Sequence, residues 1–187
     1  MRRRAFVAAA LPLVFAVPAG AAEVGGVKLA DQVSVDGKTL LLNGAGIRTK
    51  LVFKVYVCSL YLPAKTNSLA GVLAANPRRV QLNLLRDLSA DDLAGALADG
   101  INETSTAEQA AAVKPQTEQL LKIMKSVGSA KSGEVVTMDF VGNETRIAFN
   151  GQGKGDIAGE PFNAALMRIW LADKPVQPDL RKAMLGL

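Results

Sequence analysis

The 187-residue sequence contains no histidine and a single cysteine, Cys58. Without histidine, imidazole acid–base chemistry and Ser-His-Asp triads are excluded. A single cysteine cannot form an internal disulfide, and the clustered cysteine and histidine ligands typical of transition-metal sites are missing. Cys58 lies among apolar residues, so we interpret it as a small buried side chain without a reactive role. The sequence therefore predicts neither a metal nor a cofactor.

The longest apolar run, residues 5–17, stands at the N-terminus. It is too short to span a bilayer, which takes about 20 residues. It follows the basic stretch Arg2–Arg4 and precedes Ala19-Gly20-Ala21, an arrangement typical of a signal peptide with its cleavage site. We expect residues 1–21 to be removed and residues 22–187 to form one exported domain, periplasmic or secreted. No later run is long enough to predict a membrane span.

Much of the excess positive charge lies in the same N-terminal segment. The whole chain has a net charge of +5, and removing residues 1–21 removes three arginines and no acidic residue, which leaves +2. A nearly balanced charge of this kind gives no support for binding to a polyanion. We therefore predict no nucleic-acid partner.

The remaining chain is organised around residues 40–62, which read as two strands meeting at a glycine-rich corner, Gly44-Ala45-Gly46. The second strand has apolar residues on both faces, which predicts a central strand buried on both sides. Further strand and helix patterns follow, whereas residues 150–156 read as a glycine-rich loop. Hairpin-length links and the absence of a regular βαβ alternation predict a single α+β domain, with an antiparallel sheet packed against a helical layer.

Two stretches of the chain resemble the chalcone isomerase-like family. They are residues 43–62, which contain NGAGIR followed by FKVYVCSLYL, and residues 162–181, FNAALMRIWLADKPVQPDLR. The order of elements agrees over most of residues 24–187, and the sequence resembles the exported bacterial branch rather than the plant flavonoid enzymes. The resemblance implies an antiparallel sheet backed by helices, with a ligand cleft between the long strands and the helices.

The resemblance also implies an incomplete version of the enzymes' active site. Arg48 corresponds to the active-site arginine, and Asn102 corresponds to an asparagine of the cleft. Tyr56 stands where the enzymes have a water-positioning threonine, and Gly95 stands where they have a tyrosine. Ring closure requires hydrogen-bond donors around a developing enolate and phenolate. This donor set is reduced here.

The penultimate helix makes the implied cleft more apolar. Ile169 corresponds to a polar residue of the enzymes, and Trp170 corresponds to its neighbour. Each candidate residue also has a structural interpretation: Arg48 as a strand-end side chain reaching solvent, the tyrosines and Trp170 as core aromatics, and Asn102 as a helix-surface amide.

Three functional hypotheses follow. The leading one is a non-catalytic protein that binds an apolar, fatty-acid-like molecule whose carboxylate or phenolate head is held by Arg48, with help from Tyr56 or Tyr61. Ile169 and Trp170 would contribute to burying the tail. The alternative is an isomerase or intramolecular lyase that uses Arg48 as an electrophile. The third is an envelope interaction module with a vestigial cleft. The missing hydroxyls argue against the second hypothesis, and nothing in the sequence separates the first from the third.

Overall fold

The computed structural model describes residues 22–187, so the predicted signal peptide lies outside the described part of the chain. Strands and helices follow one another without a linker that would divide the chain. The strands are β1 (Ala22–Val24), β2 (Val27–Leu29), β3 (Gln32–Val35), β4 (Lys38–Lys50), β5 (Phe53–Leu62), β6 (Arg78–Leu84), β7 (Leu88–Ser89), β8 (Ser129–Ala130), β9 (Val135–Val141), β10 (Glu144–Phe149) and β11 (Gln152–Ala158). The helices are α1 (Leu69–Ala74), α2 (Ala90–Thr104), α3 (Ala107–Ala112), α4 (Lys114–Lys125), α5 (Glu160–Leu171) and α6 (Pro178–Leu185).

Seven of the strands form one antiparallel sheet in the order β11-β10-β9-β6-β5-β4-β3. β5 lies between β4 and β6, and its residues 56–62 are all buried. This confirms the predicted internal strand. β6 alternates strictly between buried and half-buried residues, as a strand with one covered face does. The antiparallel sheet with helices packed on it confirms the predicted α+β class.

The hairpin formed by β4 and β5 differs from the sequence prediction at its turn. The sequence predicts a corner at residues 44–46, and this prediction is wrong. β4 continues through these residues to Lys50, and the chain reverses at Leu51-Val52, with Lys50 paired to Phe53. A large apolar pair is an unusual turn sequence, because two-residue hairpin loops favour glycine or asparagine. That is why the turn is not evident from the sequence.

Gly44 and Gly46 serve close packing of a helix on the sheet instead of a turn. A Cβ atom at Gly44 would lie 2.8 Å from the carbonyl oxygen of Met184, and one at Gly46 would lie 2.8 Å from the Cβ of Ala183. Real Cβ atoms essentially never approach other atoms so closely. The two glycines therefore allow α6 to lie directly on β4. This packing brings the segment before α6 to the C-terminal end of the strand, near Arg48.

Residues 150–156 also differ from the prediction of a loop. Only Asn150 and Gly151 form the turn, both with positive φ (49° and 77°), and β11 begins at Gln152. β11 pairs with β10 at the edge of the sheet, and only Ile157 of this strand is buried. An edge strand can be held by backbone hydrogen bonds with few apolar side chains, so the apolar pattern that normally predicts a strand is missing.

The main core lies between the sheet and the helices, and it contains large buried side chains such as Leu82, Phe140, Leu166 and Trp170. Burial of a side chain of this size contributes about 1.5–3 kcal/mol. A smaller cluster of Val35, Leu40 and Tyr61 lies apart from this core. Among residues 22–187, no helix is both long and apolar enough to cross a bilayer.

Candidate ligand-binding site

A cavity of about 130 Å³ opens between the β4–β5 hairpin and helices α2 and α5. We call it the inner cavity. Its wall combines apolar side chains with a few charged and hydroxyl groups, as small-molecule sites usually do. The lining residues are Arg48, Lys50, Val55, Tyr56, Leu93, Ala96, Leu97, Asp99, Gly100, Glu103, Ile169 and Val176.

The guanidinium of Arg48 is held on one side only. Its Nη1 donates to the carbonyl oxygens of Thr49 at 2.8 Å and Val176 at 3.4 Å, and to Oε1 of Gln177 at 3.3 Å. Nε and Nη2 donate no hydrogen bond to any residue in the range 22–187. Because carboxylates pair with arginine through two parallel N–H donors, the free edge of the guanidinium suits an anionic group.

Gln177 anchors the segment that holds Arg48. Its Oε1 accepts from the backbone N–H of Thr49 at 2.9 Å, and its Nε2 donates to the carbonyl of Ile47 at 3.1 Å. β3 pairs with β4 only at residues 38–41, so the C-terminal part of β4, which contains Ile47 and Thr49, has no neighbouring strand on that side. The side-chain amide pairs with this edge as a neighbouring strand would. Gln177 was not evident from the sequence, although a polar residue directly before the first proline of a helix is a weak signal.

Tyr56 forms part of the inner cavity's wall, and a hydrogen bond from the core fixes its hydroxyl. Trp170 Nε1 donates to this hydroxyl at 3.1 Å, and both residues are buried. The hydroxyl donates to no acceptor among the described residues, so its proton is available to a ligand. Tyr56 is also the cross-strand neighbour of Arg48. A neutral hydroxyl and a guanidinium therefore adjoin the same small space.

Burial determines the protonation state of Tyr56. It raises the pKa of the phenol well above its usual value of 10.0, and the neighbouring Cys58 thiol adds to the rise. The hydrogen bond from Trp170, the positive charge of Arg48 and the polar approach of its guanidinium to the hydroxyl lower the pKa and only partly offset the effect of burial. Tyr56 is thus a neutral hydrogen-bond donor at every physiological pH. Burial also raises the pKa of the Cys58 thiol, as expected for an unreactive core cysteine.

The structure brings four of the six predicted site residues together. Arg48, Tyr56 and Ile169 line the inner cavity, and Trp170 contacts Tyr56 from the core side. A Cβ at Gly100 of α2 would lie 2.9 Å from Cγ2 of Ile169, so the glycine allows α2 to pack closely on α5 at the cavity wall.

The other two predicted residues lie elsewhere, which corrects the predicted grouping. Tyr61 packs in the small cluster with Val35 and Leu40. It stands five residues after Tyr56 in β5, and residues five apart on a strand point to opposite faces of the sheet. Asn102 is exposed on another side of α2, in a depression that it shares with Lys114. Gly95 does not line the cavity either, and a Cβ there would meet no atom within 4 Å.

Two acidic residues that were not predicted as site residues, Asp99 and Glu103, line the cavity from α2. Residues four apart lie on the same face of a helix, which explains their joint position. Their carboxylates repel an anion from the α2 side of the cavity. The favourable place for a negative head group is therefore beside Arg48 and Tyr56, and away from α2.

A second depression of about 300 Å³, the outer groove, continues from the inner cavity toward the turn of the hairpin. The two share Lys50, Val55, Tyr56, Leu93 and Ala96 as lining residues. The outer groove adds Leu51, Phe53, Arg86 and Leu88, among others. Together the two spaces form an elongated path that reaches the size of ordinary small-molecule sites, about 300–1,000 Å³.

A family model described as chalcone isomerase-like matches residues 21–186. The chain belongs to the chalcone isomerase-like family. Among solved structures, this family member is similar to a fatty-acid binding protein of Arabidopsis thaliana, with a TM-score of 0.65 over 86% of this chain and 92% of that one. The two sequences are 9% identical, so the likeness shows a shared fold. A comparison with curated protein sequences gave no significant match.

Proposed function

We propose that this chalcone isomerase-like protein binds an apolar molecule with an anionic head group, without transforming it. The observation that carries the proposal is the pairing of Arg48 with Tyr56 at one cavity, each with donor hydrogens that no described residue uses. A carboxylate accepts two hydrogen bonds from a guanidinium edge and has a further lone pair for a hydroxyl. A phenolate would bind in the same place with fewer acceptor sites.

A fatty acid is the first ligand to test. Beyond the head position, the path is lined by apolar side chains that include Val55, Leu93 and Leu97 in the inner cavity and Leu88 in the outer groove. Each buried methylene group contributes about 0.8 kcal/mol, so a chain of several carbons gives substantial affinity. The Arabidopsis protein with the same fold is described as a fatty-acid binding protein, which supports this choice of ligand.

Titration calorimetry with saturated fatty acids of increasing length tests the binding proposal. We expect Arg48→Ala to weaken binding at least about tenfold, because hydrogen bonds to charged groups contribute about 1.5–3 kcal/mol. Arg48→Lys should restore only part of the affinity, since lysine keeps the charge and loses the planar fork. The matched control is Arg146→Ala, which removes a half-buried arginine of β10 that pairs with Asp36 and Glu144 and does not line the inner cavity. Equal affinities of wild type and Arg48→Ala would disprove the head-group role.

The absence of catalysis is tested separately with a chalcone and an absorbance assay of ring closure. The cavity has Ile169 where the family resemblance implies a polar residue, and Gly95 lies outside it. Loss of one preorganised donor typically costs about 10²–10³ in rate, so losing several should leave no measurable acceleration. Robust turnover that disappears in Arg48→Ala would instead support the isomerase hypothesis.

We also propose that the protein acts outside the cytoplasm, in the periplasm or as a secreted protein. The support is the N-terminal sequence, with Arg2–Arg4, a short apolar run and Ala19-Gly20-Ala21. Mass spectrometry of the intact protein from its native host should show an N-terminus at Ala22 or Glu23. A mass that includes Met1 or Arg2 would contradict this proposal.

A further inference from the structure

The turn of the β4–β5 hairpin carries the largest exposed apolar side chains of the described structure. Leu51 is 89% exposed, Val52 83% and Phe53 54%. Within residues 22–187, the one other large hydrophobic residue with comparable exposure is Leu187, at 64%. We refer to residues 50–54 as the hairpin tip. Three adjacent apolar side chains in water mark an interaction surface more often than scattered single ones do.

The backbone conformation at Leu51 is one that a leucine rarely adopts. Leu51 adopts a positive φ of 56° in a two-residue turn. A side chain with a Cβ is unfavourable in this conformation by about 1–2 kcal/mol, and glycine or asparagine is the usual choice. Leucine thus occupies a position where it is exposed and strains the turn. A residue that benefits neither the turn nor the core indicates a role at the surface.

Three cationic side chains lie at or beside the hairpin tip. Lys50 and Lys54 flank the apolar residues in sequence, and the Arg86 guanidinium lies 4.7 Å from the centre of the Phe53 ring. None of the three forms an ion pair within the described residues. Two acidic residues also line the outer groove: Asp87 pairs with Lys131 at 3.1 Å, whereas Asp92 accepts from the neutral hydroxyl of Ser89 at 2.7 Å and keeps its charge, so the cations remain in excess there.

The hairpin tip is continuous with the candidate binding site. Leu51 and Phe53 form the outer end of the outer groove, and Tyr56 at its inner end belongs to the inner cavity. An apolar molecule that leaves the inner cavity along this path would emerge beside Leu51 and Phe53. The surface at the mouth of the groove is therefore both apolar and basic.

We propose that the hairpin tip inserts into the surface of an anionic lipid bilayer. The apolar side chains of residues 51–53 enter the boundary between head groups and acyl chains, and Lys50, Lys54 and Arg86 contact acidic head groups. Docking in this orientation places the mouth of the outer groove against the lipid. The docking itself needs no bound ligand, whereas passage of a ligand between bilayer and groove rests on the proposed function.

Co-sedimentation with vesicles tests the docking without any fatty acid. Wild type should bind vesicles of phosphatidylcholine and phosphatidylserine at least tenfold more tightly than phosphatidylcholine alone, because each cation near an anionic surface raises affinity about fivefold. Leu51→Ser/Val52→Ser should reduce binding to the anionic vesicles at least tenfold, and Lys54→Glu should reduce the preference for anionic lipid. All variants are made in the same chain as wild type, so any contribution of residues 1–21 is common to them.

Leu187→Ser is the matched control, because it removes another exposed leucine, 64% exposed, which follows Gly186 beside Asn43 in the middle of β4, away from the hairpin tip. It should bind vesicles as wild type does. A label at position 52 provides a second measurement: in Val52→Cys an environment-sensitive fluorophore reacts at the tip alone, since Cys58 is fully buried. Its emission should shift to the blue with anionic vesicles.

Three results would overturn the docking proposal. They are no binding of wild type to anionic vesicles, equal binding by wild type and Leu51→Ser/Val52→Ser, and a wild-type dimer in sedimentation that the double variant abolishes. The last result would make the hairpin tip a contact between copies of this chain. A failure of fatty-acid binding in calorimetry would leave the vesicle results intact, so the two proposals fail independently.

Discussion

The indole N–H of Trp170 donates a hydrogen bond of 3.1 Å to the hydroxyl oxygen of Tyr56. This bond occupies one lone pair of the hydroxyl and limits the directions in which the phenolic proton points. Because Trp170 is completely buried in α5, the bond fixes the Tyr56 ring from the core side. The relationship between the two residues leads to a prediction about their separate contributions.

Tyr56→Phe should weaken fatty-acid binding by about tenfold to a hundredfold, because it removes one hydrogen bond to a charged group, worth about 1.5–3 kcal/mol. It should also destabilise the protein by about 1–3 kcal/mol, since the N–H of Trp170 remains buried without an acceptor. Calorimetry and urea denaturation measure the two effects. Trp170→Phe is the control, because it keeps the Tyr56 hydroxyl and should lose less affinity. Wild-type affinity in Tyr56→Phe would show that the hydroxyl does not contact the ligand.

Gln177 should act on the ligand through Arg48. Gln177→Ala leaves the N–H of Thr49 and the carbonyl of Ile47 without their partner, so we expect a loss of about 1–3 kcal/mol in stability and a weaker fatty-acid complex. Gln177→Glu keeps the acceptor for Thr49 and Arg48, loses the donor to the Ile47 carbonyl and adds a negative charge beside Arg48, so both affinity and stability should fall.

Gln119→Ala serves as the control for the Gln177 variants. Gln119 donates one exposed hydrogen bond to the carbonyl of Asp156, far from the site, and its removal should change neither quantity by much. If both Gln177 variants bound fatty acids like wild type, then the position of Arg48 would not depend on Gln177.

The buried phenol of Tyr56 predicts a loss of stability at alkaline pH. Above pH 10 the Tyr56 phenol is ionised in the unfolded chain but stays protonated in the folded protein, because burial raises its pKa. The unfolded state then binds fewer protons, so stability falls with rising pH by up to about 1.4 kcal/mol per pH unit. Urea denaturation of wild type and Tyr56→Phe between pH 9 and 11 should show a steeper fall in wild type. Parallel curves would contradict this assignment.

The contact between α6 and β4 predicts a strong effect of one methyl group. Gly46→Ala places a Cβ against Ala183 and Leu180, and the strain should cost about 1–3 kcal/mol. Ala183→Gly removes the closest opposing atom, so the double variant should recover part of the loss beyond additivity. Gly95→Ala is the control: it has open space in α2 and should raise stability by about 0.5–1 kcal/mol. Equal effects at both glycines would refute the packing argument.

The distribution of apolar residues along the chain predicted most of the fold. Apolar residues on both faces of β5 and the alternation in β6 indicated an internal and a half-covered strand, and both are present. Glycine was misread at residues 44–46, because a glycine needed for helix packing and a glycine needed for a turn look alike in a sequence. β11 was missed because an edge strand has little apolar signal.

The candidate site was predictable only where a motif carried it. Arg48 and Tyr56 were identified through the family resemblance and do line one cavity. Gln177 stands 129 residues from Arg48, and a pairing between a side-chain amide and a strand edge has no periodic signature. Tyr61 was grouped with Tyr56 because of its residue type, although residues five apart on a strand point to opposite faces.

The position of α6 on β4 has a consequence for how the protein is made. The Asn43 amide donates to the carbonyl of Met184 across 141 residues, and Gln177 reaches β4 across a similar span. During synthesis these partners of β4 leave the ribosome more than a hundred residues after the strand itself, so the strand stays partly uncovered until they follow. Contacts of such long range also form slowly. The guanidinium of Arg48 acquires its distant anchors only after Val176 and Gln177 have been made, and a chain cut before them therefore carries Arg48 and Tyr56 without the segment that holds Arg48 in place.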